Sequence, residues 1–249
     1  MGKRKRDEYI KNMRLSPIDF LRERAYVMQG GVKAIPRKGT QDFYMLFVAR
    51  EQDMGSHLAM KENETFVDVG ANVGSYTLSA ANEYKDKGVK IIAVEAHPDN
   101  YRALCRNIQI NNFRNVKTIN KVVTDHKGNV TLYERSHDGS HVDSELYSIY
   151  DKEFLAQNNI LHPRGNLLQL EGDTLDNMLL DQRVDVMKMD IEGAEVTALK
   201  GARNTLNKLR KIVVEIHGDN NNAIEHILLE HGFNLQNTAE KRVIGSRNF

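Results

Sequence analysis

The sequence predicts an α/β protein, a Rossmann-like, mainly parallel sheet with helices on both faces. Two observations predict it. From Thr65 onward, short apolar runs (TFVDV, VKIIAVE, VDVMKMD, KIVVEIH) alternate with stretches of helix length, the rhythm of a parallel sheet linked by crossover helices. Glycines and ionisable residues then follow the carboxyl ends of those runs, where such sheets bind ligands at the switch in strand order.

The chain opens on MGKRKRDEY, which is basic but leads into no apolar stretch of the signal-peptide kind. Within residues 1–24, Lys3, Arg4, Lys5, Arg6, Lys11, Arg14, Arg22 and Arg24 face only Asp7, Glu8, Asp19 and Glu23. A basic arm of this kind can touch an anionic membrane surface or RNA. The simpler expectation is a solvated helical arm packed on the domain or on a partner subunit, which leaves a homo-oligomer open. Residues 7–29 read as helical, with Pro17 as a break. VKAI at 32–35 and FYMLFVA at 43–49 read as short strands around the turn-forming PRKGTQD. Residues 1–62 are thus expected to be an N-terminal extension packed on a main domain of residues 63–249.

Within that domain TFVDV is a strand, followed by a helix through Tyr84. VKIIAVE is the next strand, and Pro98 opens the helix PDNYRALCRNIQINN, since a first helical turn accepts proline. VKTINKVVTD and NVTLYER read as strands around Lys127-Gly128-Asn129. Residues 135–166 are polar and read as a substrate-side insertion. VDVMKMD is a strand, EGAEVTALKGARNTLNKL one helix, KIVVEIH a strand, and NNAIEHILLEHG a helix ended by Gly232. FNLQ and KRVIGS close the sheet.

Bulk properties narrow the class. With 249 residues and 40% hydrophobic content the chain can bury a large core. No apolar run approaches the roughly 20 residues of a membrane span. A single cysteine, Cys105, excludes a disulfide framework and a multi-cysteine zinc site. A soluble, cytoplasmic protein is expected. The net charge of +1 argues against a chain built around a nucleic-acid backbone.

The strand ends carry the chemistry. Asp68-Val-Gly70-Ala-Asn72-Val-Gly74 is a G-x-N-x-G turn entering a helix. Its glycines let backbone approach a ligand, and the helix start offers free N–H groups to an anion such as an amino-acid carboxylate. Such a turn alone does not separate one adenosyl cofactor from another. Glu95 ends the second strand and is placed to accept bonds from ribose hydroxyls, or else to cap the next helix. Lys188-Met-Asp190-Ile-Glu192-Gly193-Ala-Glu195 is poor core material: Asp190 is expected to face the crevice, Glu195 to support the helix start, and Glu192 to cap it or join the site. Glu215 and His217 emerge from the neighbouring strand. A neutral His217 beside a hydroxyl could take its proton; a purely structural hydrogen bond is the competing reading.

Taken together, FVDVGANVGSYTLSAA, VEAHPDNYRALCRNIQINN with NVKTINKVV, DVMKMDIEGAEVTALKGA and IVVEIHG resemble the FkbM family of methyltransferases, from about Gly39 to Gln236. The D-x-E-G-x-E block is the most specific part. The resemblance implies the seven-stranded class I methyltransferase sheet with an antiparallel last hairpin. It implies S-adenosylmethionine as cofactor and methyl transfer, usually to oxygen. By position Asp68, Gly70, Asn72 and Gly74 would line the methionine end, Glu95 the ribose, and Asn120 to Val123, with Val122, the adenine. Asp190, Glu192, Glu215 and His217 would surround the acceptor, with His217 or Asp190 as proton acceptor. The expected acceptor is a hydroxyl on a small molecule, glycan or lipid headgroup. A hard divalent cation such as magnesium could fit among these four residues, though their spacing does not demand one. Three other readings stay open: an RNA or protein methyltransferase using the basic N-terminus, a nucleotide-binding oxidoreductase, and a non-catalytic binding module.

Overall fold

The computed structural model describes residues 24–47, 57–134, 147–148, 167–238 and 242–247. An antiparallel pair, β1 (Tyr26–Val27) and β2 (Lys33–Ala34), and helix α1 (Asp42–Phe47) precede the main sheet. Then follow β3 (Thr65–Val69), α2 (Ser75–Glu83), β4 (Lys90–Val94), α3 (Pro98–Ile110) and β5 (Val116–Ile119). Next come β6 (Val122–Val123), β7 (Gly128–Glu134), β8 (Tyr147–Ser148), β9 (Leu167–Asp173) and the short α4 (Leu175–Met178). The chain continues with β10 (Val186–Met189), α5 (Glu195–Lys200), α6 (Arg203–Lys208) and β11 (Lys211–Glu215). Helix α7 (Asn221–Glu230) and strands β12 (Asn234–Thr238) and β13 (Arg242–Ser246) complete it.

Seven strands form one sheet in the order β5-β4-β3-β10-β11-β13-β12. All run parallel except β13, which is antiparallel to both β11 and β12. Strand order reverses between β3 and β10, which opens a crevice at their carboxyl ends. Every residue of β3 and β10 is buried, as strands covered on both faces require. Alternate residues feed opposite faces. Val67, Met187 and Val214 pack with Leu199 and Leu206, whereas Phe66, Val186 and Val213 pack with Leu58, Ala81 and Tyr84. Met28, Val32, Ala34 and Leu46 of the N-terminal segment pack with Ala71, Leu78 and Leu104.

The structure departs from the sequence expectations in five places. Of the helix expected over 7–29, residues 7–23 lie outside the described residues; Tyr26–Val27 is a strand, and Gly30 and Gly31 at φ +82° turn the chain. FYMLFVA was expected as a strand, but Asp42–Phe47 is helical, with Phe43 and Phe47 stacked one turn apart at 4.9 Å; residues 48–49 lie outside the described residues. VKTINKVVTD divides at Asn120-Lys121: β5 joins the main sheet, and β6 pairs with β9 in a second sheet of order β6-β9-β7-β8. Strand β9 was not foreseen. The single helix over 192–209 is two, since Gly201 passes against the Thr124 carbonyl too closely for a Cβ, and Asp176 caps the second by accepting from Asn204 and Thr205 N–H groups. Apart from Tyr147–Ser148, the expected insertion 135–166 lies outside the described residues.

Glu64 leads into β3 and accepts two bonds from Arg210, at 2.8 and 2.7 Å, tying that edge to the residue before β11. Burial alone would raise the Glu64 pKa, but the Arg210 bonds outweigh it and hold the carboxyl below its ordinary 4.5. A carboxylate with a depressed folded pKa stabilises the fold above its unfolded pKa, and that contribution fades as pH falls through the folded value. Glu64→Gln should therefore lower unfolding free energy by about 1.5–3 kcal/mol at neutral pH. In urea titrations the gap to wild type should narrow towards pH 3; an equal gap at both pH values would refute the ion-pair account.

Candidate active site

The strand-end residues meet through a short chain of contacts. Gly70 and Ala71 N–H both donate to the Val94 carbonyl at 3.0 Å, seating the glycine turn on the end of β4. Gly70 has φ +79°, and a Cβ there would overlap the Asp190 carbonyl oxygen, so only glycine allows β10 to end against this turn. Gly74 has φ +103° and stands at the N-cap of α2, with Leu104 against the place of a Cβ. Asn72 also takes a positive φ, +50°, and its N–H donates to Glu95 Oε2 at 2.8 Å.

Glu95 is buried, and its Oε1 accepts from the His97 N–H at 2.9 Å. Burial pushes its pKa up to about 7, against the pull of the His97 and Asn72 N–H groups. A carboxylate offers about four acceptor sites, so two bonds leave capacity for ligand hydroxyls. Asn120 Nδ2 donates to the Glu95 and Ala96 carbonyls at 2.8 and 3.0 Å, fixing the end of β5 to that of β4. Val122 lies buried in β6, two residues on.

Under the turn sits a buried cation with no role in the sequence reading. Lys188 Nζ donates to Asp190 Oδ2 at 3.2 Å and to the Gly70 carbonyl at 3.4 Å, lies 3.8 Å from Asp68 Oδ1, and stands 5.0 Å over the Tyr76 ring. Burial works against its charge, but Asp190 and Asp68 more than compensate and raise its pKa. Asp68 is fully buried; its Oδ2 accepts from Thr77 Oγ1 at 2.6 Å, while Oδ1 has no hydrogen-bond partner. The Asn72 Oδ1 atom is likewise buried and without one.

On the far side of Gly70 lies the acidic cluster. Asp190 and Glu192 would have pointed apart had β10 continued, but the strand ends at Met189 and Glu192 takes φ +55°. Both carboxylates therefore approach the same ring nitrogen: His217 Nε2 is 3.9 Å from Asp190 Oδ1 and 3.7 Å from Glu192 Oε2. On its other side His217 Nδ1 bonds Glu195 Oε1 at 2.9 Å. Glu195 also accepts from Gly193 N–H at 3.0 Å, so it supports the helix start as the sequence suggested and orients the histidine as well. Glu215 lies 3.6 Å from the buried Arg242. Burial pushes the His217 pKa down, but Glu195, Glu192 and Asp190 raise it to about 10. Asp190, raised by burial, is brought below its ordinary value by Lys188 and His217. The sequence reading gave His217 a neutral ring; at neutral pH these surroundings favour the charged one. Asp190, Glu192 and His217 each offer a ligand atom within 4.8 Å of the others, a set able to hold a cation.

The structure thus links Gly70, Asn72, Glu95, Asp190, Glu192 and His217 by contacts at the carboxyl ends of neighbouring strands, with Glu215 at the end of β11. The profile of the Methyltransferase FkbM domain matches residues 68–235, most of the chain and the whole of this crevice. The chain belongs to the FkbM methyltransferase family. Methyltransferase sdnD of Sordaria araneosa is 27% identical over 198 residues, covering 71% of this chain and 76% of that protein. The crystal structure of methyltransferase FkbM from Methylobacillus flagellatus KT shares the fold with a TM-score of 0.51 and 19% identity. The match covers 81% of this chain and 47% of that one, so this FkbM-family chain spans about half the length of that relative. The seven-stranded, mainly parallel sheet is the class I methyltransferase fold that the resemblance implied. No helix among the described residues is long and apolar enough to cross a membrane.

Lys188 neutralises charge on two elements at once. Lys188→Met should leave Asp68 and Asp190 uncompensated and reduce stability by about 3–5 kcal/mol, read by urea unfolding. A loss below about 1 kcal/mol would show that the cation is not structurally required.

Proposed function

We propose that this chain methylates a hydroxyl oxygen with S-adenosylmethionine, its acceptor seated between the glycine turn and the Asp190–His217 cluster. The observation that carries the cofactor reading is a fit at the turn. Gly70 and Gly74 leave a cradle that a Cβ would fill, and Asp68 Oδ1 and Asn72 Oδ1 are buried acceptors without a hydrogen bond, Asp68 Oδ1 lying 3.8 Å from Lys188 Nζ. An α-amino acid tail has an ammonium for such acceptors and a carboxylate for the free N–H groups at a helix start. Asp68, Gly70, Asn72 and Gly74 would hold that end. Glu95 would accept from the ribose hydroxyls, and the backbone from Asn120 through Val122 would border the adenine. Bound there, the sulfonium supplies an already activated methyl group.

What remains for the protein is placement and a proton. Holding the acceptor in line contributes roughly 7–11 kcal/mol in well-oriented cases. Asp190, steadied by Lys188 through Oδ2, keeps Oδ1 turned towards His217. A carboxylate held below its ordinary pKa is a weak base for an alcohol. It suffices for an oxygen already taking the methyl, because that oxygen becomes strongly acidic as its third bond forms. We therefore assign the proton to Asp190 Oδ1. His217 is its partner, Glu192 and Glu215 line the acceptor side, and a small molecule, glycan or lipid headgroup is the acceptor class.

Calorimetric titration should show S-adenosylmethionine binding and none of NAD. Glu95→Gln should weaken that binding about 10–100-fold, the loss of charged hydrogen bonds worth roughly 1.5–3 kcal/mol. Ligand bonds favour the ionised carboxylate, so wild-type affinity should fall as pH drops below about 7, and the variant should be flat there. Labelled methyl should pass to hydroxylated small molecules, glycans or lipid headgroups; transfer chiefly to tRNA or protein would overturn the acceptor class, and unchanged affinity in Glu95→Gln the ribose assignment.

A further inference from the structure

We infer that Asp190, Glu192 and His217 form a divalent-cation site on the acceptor side of the crevice, with Glu195 as the buried group that aims the histidine. The inference rests on the methyltransferase reading for its purpose but on separate observations for its existence.

The first observation is convergence. Three side chains from two strand ends present one oxygen, one oxygen and one nitrogen within 4.8 Å of each other. Around a six-coordinate cation adjacent ligand atoms stand roughly 2.8–3.1 Å apart and opposite ones roughly 4.0–4.4 Å, given metal–ligand lengths near 2.0–2.2 Å. The 3.9 and 3.7 Å separations from His217 Nε2 lie between those spacings, within about 1 Å of the adjacent one.

The second observation is Glu195. It is wholly buried, its Oε1 bonds His217 Nδ1, and its Oε2 has no hydrogen-bond partner. A histidine whose far nitrogen bonds a buried carboxylate has its tautomer fixed and its near nitrogen aimed outward, the arrangement found behind metal-ligating histidines. A surface ion pair needs no such backing. Asp190 shows the same division of labour, since Lys188 occupies Oδ2 and leaves Oδ1 for the site.

Charge points the same way. Asp190, Glu192, Glu195 and Glu215 surround the position, and Lys188 and Arg242 are the fixed cations near them. Two carboxylate oxygens and one imidazole suit manganese or magnesium better than a thiophilic metal. Three protein ligands leave positions open towards the crevice. A cation held there would displace the His217 Nε2 proton to water and would supply Lewis acidity that eases loss of the acceptor hydroxyl's proton. With the cation bound, Asp190 Oδ1 would be a ligand in place of the proton acceptor assigned above, and the hydroxyl proton would pass to Glu215 or to water.

The test is titration of the full chain with manganese(II), followed by loss of the free-ion electron paramagnetic resonance signal. S-adenosylmethionine calorimetry is run on the same samples. Wild type should bind one equivalent, and Glu192→Gln and His217→Gln should each weaken it at least tenfold. Glu192→Gln keeps the shape and removes the charge of a partly exposed residue after β10, so a folding defect in His217→Gln does not remove the test. Absence of manganese binding with intact cofactor binding overturns the cation site and leaves the methyltransferase reading standing. Manganese affinity equal in wild type and both variants also overturns it. Failure of cofactor binding while manganese still binds in the expected pattern strikes the other reading alone.

Discussion

The structure depends on one buried cation. Lys188 sits at the middle of β10, opposite Asp68 of β3 in the sheet register, and reaches past its own strand to Asp190 and the Gly70 carbonyl. A lysine placed there is costly unless its charge is matched. It is matched by Asp68 beneath the glycine turn and by Asp190 of the cluster around His217. The same ammonium therefore sets the relative position of two halves of the crevice. Gly70 adds a steric condition to this electrostatic one, because β3 and β10 can close together only where no Cβ intervenes.

Around that junction Glu95 and His217 are each oriented by groups behind them. Asn72 N–H fixes one oxygen of Glu95 and His97 N–H the other, so this carboxylate is oriented before any ligand arrives. Glu195 does the same for His217, and Asn220 Nδ2 bonds the Gly193 and His217 carbonyls, keeping the two strand ends together. Groups fixed in this way need little reorganisation during a reaction, which is how preorganised sites lower a barrier. In this FkbM-family domain each half of the crevice carries its own backing group.

Most of the fold was legible because parallel strands buried on both faces read as apolar runs. TFVDV, KIIAV, VMKM and KIVVE are such runs, and Pro98 and Gly232 mark helix boundaries where expected. The candidate site was legible because ionisable residues after such runs have no packing role. What stayed hidden depends on distant partners. Lys188 drew no role from the sequence, since Asp68 and the Gly70 carbonyl that hold it lie far off in the chain. Nothing near Gly201 announces that Thr124 will press against it, and the cap of α6 comes from Asp176, 28 residues away from Asn204. The aromatic run after Asp42 was read as a strand, yet it folds as a helix in which Phe43 and Phe47 stack one turn apart. The signal available for His217 was position alone; its charge state follows from Glu192 and Glu195, which meet it only in the fold.

The central claim is that these strand tips shape a single cleft for an adenosyl sulfonium, methionine end over Gly70 and Gly74, ribose at Glu95 and sulfur towards Asp190. A crystal structure of the chain soaked with S-adenosylhomocysteine tests it most directly. The account predicts ribose oxygens within hydrogen-bond distance of Glu95 and the homocysteine tail against the turn. Density for the ligand elsewhere on the molecule, with the Gly70–Glu95 crevice holding only solvent, would contradict it.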